Sequence, residues 1–121
     1  MTVEPQGNFN SDHDSKKRTQ THVHEYLGST KIDASVVPHN HRFAGVTGEA
    51  IPEGNSHVHQ LFGNTDFFVG HLHELGAKTG PAIPVGKGRH IHFAYGKTTK
   101  DAGHIHEFIF ATLIEDPSGK D

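Results

Sequence analysis

Cysteine is absent from this chain and methionine occurs once. Disulfides, thiolate metal sites and thiol catalysis are thereby excluded. A blue-copper electron-transfer centre, which needs a cysteine ligand, is excluded too. Apolar residues are scarce, at 32 % of 121 positions. A single domain of that length then has a thin core, and part of its stability must come from something other than apolar burial. There is no excess of basic residues: the net charge is −3 with histidines neutral, which offers no patch for nucleic acid or an anionic membrane. Residues 1–20 are polar, without the apolar run of a signal peptide, and no stretch is apolar enough to span a bilayer. The expectation is a cytoplasmic protein with neither nucleic-acid nor membrane partners.

What the chain has instead is histidine, at thirteen positions. Twelve of these form six His-x-His pairs: His22/His24, His39/His41, His57/His59, His71/His73, His90/His92 and His104/His106. Three segments superimpose from their first histidine, HVHEYLGST from His22, HVHQLFGNT from His57 and HIHFAYGKT from His90. The second pairs align as well: HRFAGVTGEAIP from His41 matches HELGAKTGPAIP from His73, and HEFIFATLI from His106 keeps the threonine. The period is roughly 33 to 35 residues, which makes three copies of one supersecondary unit.

The residue inside each pair is Val23, Asn40, Val58, Leu72, Ile91 or Ile105, and an alternating or aromatic-rich run follows before glycine. That pattern predicts strands with both histidines of a pair on one face. A helix would not place i and i+2 together. Gly63-Asn64-Thr65 and Gly96-Lys97-Thr98 supply turn chemistry inside repeats, and the Ile51–Asn55 and Ile83–Gly88 segments supply it between them. The predicted fold is all-β: a six-stranded antiparallel meander with pseudo-threefold symmetry, curled into a small barrel, over residues 21–115. Residues 1–20 are expected to form a disordered polar arm, and 116–121 a frayed end. An open sheet that pairs with a second subunit is the alternative.

Simple hairpins through those turns set His59 opposite His71 and His41 opposite His57. All twelve histidines then form two rows on one face. The first row is His24, His39, His59, His71, His92 and His104, and the second is His22, His41, His57, His73, His90 and His106. Opposed side chains in a sheet are about 5 Å apart, and same-face neighbours along a strand about 7 Å. Imidazoles at such corners can converge on one ion. An all-imidazole set suits zinc, copper, nickel or iron and does not suit calcium or magnesium. A pH-sensing histidine face without metal is the competing reading. Glu25, Glu74 and Glu107 directly follow His-x-His pairs, but alternation turns them to the opposite face as solvated or intersubunit charges. Tyr26, Phe43 and Phe108 fall on the histidine face as an apolar layer.

The segments THVHEYLGSTKI, HNHRFAGVTGEAIPEGNSHVH, TDFF, TGPAIPVGKGRHIHF and GHIHEFIFATLI resemble the YmaF family of bacterial proteins. The resemblance covers about residues 21–114, implies a Gram-positive origin, and carries over no catalytic residues. Together the observations point to a transition-metal-binding protein for storage, buffering or metal-stabilised structure. Two alternatives stand beside it. One is a copper or iron oxidase or oxygenase; multicopper oxidases also use several such pairs, but their cysteine-containing electron-entry site has no counterpart here. The other is a homo-oligomer or filament assembled through metal or strand edges.

Overall fold

Alternation of period two governs the chain well beyond its strands. In the computed structural model, which describes residues 21–34 and 37–115, buried and exposed positions alternate along six similar segments. The inward positions of the first read His22, His24, Tyr26, Gly28 and Thr30, and those of the second read His39, His41, Phe43, Gly45 and Thr47. The same order of two histidines, an apolar residue, a small residue and a threonine recurs from His57, His71 and His90. From His104 it recurs with Phe110 in place of the small residue. The first and second pairs of a repeat therefore follow one pattern. Outward positions such as Leu27, Phe62, Tyr95 and Ile109 remain exposed, and so do Glu25, Glu74 and Glu107, as alternation predicts.

Ten strands result and, among the described residues, no helix; nothing there is a helix long and apolar enough to cross a membrane. They are β1 (Glu25–Ser29), β2 (Arg42–Val46), β3 (Ile51–Glu53), β4 (Ser56–Val58), β5 (Gln60–Asn64), β6 (Glu74–Lys78), β7 (Ile83–Gly86), β8 (Arg89–Ile91), β9 (Phe93–Lys97) and β10 (Glu107–Ala111). All pair antiparallel in five two-stranded sheets. The β1–β2, β5–β6 and β9–β10 ladders are three units of similar burial pattern, and the short β3–β4 and β7–β8 hairpins lie between them in sequence. The expected arm at 1–20 and the end at 116–121 lie outside the described residues.

The six-stranded meander closed into a barrel does not form. Neighbouring units touch through isolated backbone hydrogen bonds. Gly48 donates to Gln60, Gly80 to Phe93 and Leu113 to Glu25, while Asp66 donates to Arg42, Thr99 to Glu74 and Lys31 to Glu107. A continuous ladder is prevented because the carbonyls next in line are engaged by histidine rings, as described below.

The expected register also differs. Gly63, Asn64, Gly96 and Lys97 are strand residues, not turn residues. The chain reverses further on, at Val69-Gly70 (φ 54° and 76°) and Ala102-Gly103 (φ 53° and 82°). Positive φ at both central residues gives a turn whose twist matches the flanking strands. The backbone partner of His59 is consequently Thr79 rather than His71. Of the expected turns between repeats, Gly54 (φ 60°), Gly86 (φ 101°), Lys87 (φ 56°) and Gly88 (φ 73°) have turn conformations.

The repeated glycine has a different task from the one its turn chemistry suggested. Gly28 pairs with Phe43 and Gly96 with Phe108 across their ladders. A Cβ on Gly28 would stand 2.8 Å from the Phe43 ring, and one on Gly96 would stand 3.0 Å from that of Phe108. The tip of the aromatic ring, Cζ foremost, comes up against the bare backbone, a use of strand glycine that costs propensity and gains packing. The core is small: Tyr26, Phe43, Leu61, Leu75, Ala94, Phe108 and Phe110. Its volume is shared between units. Phe110 sits opposite the small Ala94 and stacks on Tyr26 at 5.2 Å. Gly45→Ala, whose new Cβ would meet Tyr26 Oη at 2.5 Å, is expected to destabilise by about 1–3 kcal/mol through overpacking. Gly48→Ala, with nothing nearer than 3.7 Å, should stay within about 0.5 kcal/mol of the parent. Denaturant unfolding of both variants at equal metal content makes the comparison.

Candidate functional site

The antiparallel ladders carry the two histidine pairs of each unit to opposite ends. In the first unit the segment ending at His24 lies beside Thr47, while His41 lies beside Thr30, about 20 Å of extended strand away. The first pairs of all three units, His22/His24, His57/His59 and His90/His92, meet in cluster I. The second pairs, His39/His41, His71/His73 and His104/His106, meet in cluster II. Within each cluster one nitrogen of every ring lies within 4.8 Å of all the others. All twelve histidines expected as ligands are brought together, and both members of each pair point the same way. The two expected rows on a common face do not exist: His24, His59 and His92 are in cluster I, whereas His39, His71 and His104 are in cluster II. The register shift is the cause, since it separates the pairs that simple hairpins would have juxtaposed.

Backbone carbonyls set the ring orientation. In cluster I, Nδ1 of His24 lies 2.9 Å from the Leu113 carbonyl, that of His59 2.9 Å from Gly48, and that of His92 2.9 Å from Gly80. In cluster II, His41 bonds Asp66, His73 bonds Thr99 and His106 bonds Lys31 at 2.9–3.1 Å. His39, His71 and His104 bond the carbonyls of Val37, Val69 and Ala102, each two residues back. A carbonyl only accepts, so each of these Nδ1 atoms carries the proton and each Nε2 presents a lone pair. His90 is held differently, its Nδ1 lying 3.1 Å from Glu115 Oε2 and its backbone N–H donating to Oε1. Six of the acceptors belong to the neighbouring unit: the end of unit one orients His59, unit two orients His92, and unit three orients His24.

Six threonines complete this scaffold, including Thr65 and Thr98, which were expected to serve only as turn residues. Thr47, Thr79 and Thr112 accept the backbone N–H of His24, His59 and His92, and Thr30, Thr65 and Thr98 accept those of His41, His73 and His106. All six are buried. Thr79 Oγ1 then donates to the Gly80 carbonyl, the same oxygen that orients His92. One hydroxyl thus ties a histidine of its own unit to a histidine of the next. Threonine stands at one offset after every His-x-His pair.

The inward nitrogens are short of partners. Nε2 of His59, His73 and His92 is buried without a hydrogen bond. Elsewhere Nε2 atoms face one another: His39 to His104, His39 to His106, His71 to His104 and His41 to His71 are all 3.2 Å apart. Each of these rings has committed its proton to a carbonyl, so lone pair faces lone pair, which repels unless a cation lies between. Protonation is a poor remedy in so closed a place. Burial, reinforced by the neighbouring histidines, holds His22 down to about 4. Burial likewise lowers His92 to about 4 against the opposing Gly80 hydrogen bond. Desolvation also lowers His24, His41, His57, His59, His73 and His106. The donor set, converging neutral imidazoles with orphaned lone pairs, could hold a metal ion in each cluster.

The sequence profile of a family described as YmaF, spore germination protein GerY/YamF, matches residues 19–114. The chain belongs to the YmaF family. No curated protein and no solved structure matches it. The matched span of this YmaF-family chain contains both clusters and all six threonines.

Replacing Thr79 by valine keeps the shape but leaves the His59 N–H buried without an acceptor, a loss of about 1–3 kcal/mol. Thr79→Ser should recover most of it in the same unfolding assay. The metal-free protein should also be acid-sensitive. His22 and His92 bind protons less readily folded than unfolded, so their contribution is whole above pH 6.5 and is lost as pH falls towards about 4. Thermal melts of chelated protein between pH 4 and 8 should show Tm falling across that window and flat above it.

Proposed function

We propose that this protein is a transition-metal-binding protein that takes one ion into each cluster, with all twelve paired histidines as ligands. Its role would be structural or for storage. The observation that carries the reading is the set of Nε2 atoms 3.2 Å apart in cluster II whose rings have given their protons to carbonyls. Zinc, copper, nickel and iron are the ions that imidazole suits. In this reading the three units are related by a pseudo-threefold axis with an ion at each end and the aromatic core between them. The role is not enzymatic, because imidazoles fill the space around each centre. The nearest carboxylates support the rings from outside: Asp66 on His41, Asp101 on His73 and Glu115 on His90. The family description names spore germination, and we place this metal-binding role in that process.

A thin core makes the ions a large part of folding free energy. At free metal one hundred times its dissociation constant, each site adds about 2.7 kcal/mol. A strong chelator at neutral pH should therefore lower Tm substantially, and elemental analysis of protein purified without a nickel column should find stoichiometric metal. His59→Ala and His71→Ala should lower the metal-loaded Tm, whereas His13→Ala, outside every His-x-His pair, should not. Identical melts with and without chelator would remove the basis of the reading.

A further inference from the structure

The ring packing specifies more than that metal binds. In cluster I every imidazole lies edge-on to every other ring except one, at centroid separations of 4.5–5.1 Å and interplanar angles of 67–86°. The excepted partners are His22 with His92, His24 with His57, and His59 with His90. Cluster II repeats the arrangement at 4.8–5.1 Å and 68–86°. There the excepted partners are His39 with His73, His41 with His104, and His71 with His106. A polyhedron of six vertices in which each vertex has a single non-neighbour is an octahedron. A trigonal prism leaves two non-neighbours per vertex, and a tetrahedron leaves none.

The nitrogen separations agree. His22, His57 and His90 form one triangular face with Nε2 atoms 3.1, 2.9 and 3.0 Å apart, and His24 lies 3.1 Å from His90 across the adjoining edge. Neighbouring donors of an octahedron are separated by √2 times the bond length. Separations of 2.9–3.2 Å then put the centre about 2.1–2.3 Å from each nitrogen, at or slightly beyond ordinary metal–imidazole distances. Opposite donors would be about 4.1–4.5 Å apart, inside the 4.8 Å that encloses each set.

Resting on the metal-binding reading, we propose that each cluster is a six-coordinate, all-imidazole octahedral centre, so that the chain holds two divalent ions of the iron, cobalt and nickel class. Zinc has no electronic preference among geometries and in structural sites almost always takes four ligands. Copper(II) favours a tetragonal field, which six equivalent imidazoles do not provide. Calcium and magnesium require oxygen donors. Six neutral donors leave the ion's charge uncompensated, which favours the divalent over the trivalent state, and they leave no position for oxygen or substrate.

Cobalt(II) distinguishes the geometries. Metal-free full-length protein, purified without a nickel column, is titrated with Co2+ and followed by visible absorption and X-ray absorption spectroscopy. The expected result is two equivalents bound, only the weak d–d bands of six-coordinate cobalt, and six nitrogen neighbours in the first shell. Two equivalents with the intense bands of four-coordinate cobalt, or four nitrogens, would overturn the octahedral assignment and leave the metal-binding reading intact. No bound cobalt would overturn the metal-binding reading itself. In a second measurement the protein is equilibrated with equimolar excess Ni2+ and Zn2+. Nickel should be retained over zinc by at least tenfold, and any smaller preference contradicts the assignment.

Discussion

A histidine directs one nitrogen at a shared point most firmly when something holds the other, and that constraint, met at ten of the twelve paired rings, organises the molecule. Here the holders are mostly main-chain carbonyls, such as Gly48 for His59 and Thr99 for His73. A carbonyl bound to an imidazole is taken from strand pairing. The ladders therefore stop after five residues, the units join through single hydrogen bonds, and the sheet never closes. The buried threonines satisfy the backbone N–H groups that this interruption leaves over. Each departure from a regular sheet traces to the need to aim rings.

The same constraint divides stability between two materials. Between the clusters lies an apolar layer of only seven residues, in which Phe110 compensates for Ala94 and glycines admit rings against bare backbone. Beyond it on each side the inward positions are imidazoles, which are poor core residues when empty-handed, since burial makes them resist protonation while their lone pairs repel. Bound cations would turn that liability into cohesion, linking all three units at each end. A small apolar core and two histidine clusters that draw on every unit are complementary halves of one design.

Much of this was legible in the residues. Strand structure, the single face of each pair, the outward glutamates and the inward aromatics all followed from a period of two, and the family was recognisable from its motifs. The grouping of the pairs was not. Gly63-Asn64 carries the composition of a turn, and placing the reversal there set His59 opposite His71. The chain actually turns at Val69-Gly70, where a β-branched residue takes positive φ. Local composition disfavours that choice, and the β5–β6 ladder, which pairs Gly63 with Leu75 and Asn64 with Glu74, carries the strand past the glycine. The threonines stood in the alignment at constant offset, but a hydroxyl that accepts from a histidine's own N–H leaves no mark that spacing alone could interpret.

The head-to-tail orientation of the rings has an implication for ancestry. Each unit supplies two histidines to each cluster, and the inner histidine of each pair is aimed by a neighbour's carbonyl, the last unit serving the first through Leu113 and His24. No unit could complete either centre by folding alone, yet every contact it needs is available from other copies of itself. Contacts supplied by separate copies would carry a cost in affinity set by concentration. Tandem duplication replaces that dependence with a fixed effective concentration among tethered segments. The three units differ where volume is shared, at Tyr26, Leu61 and Ala94, and have the twelve rings and six hydroxyls in common.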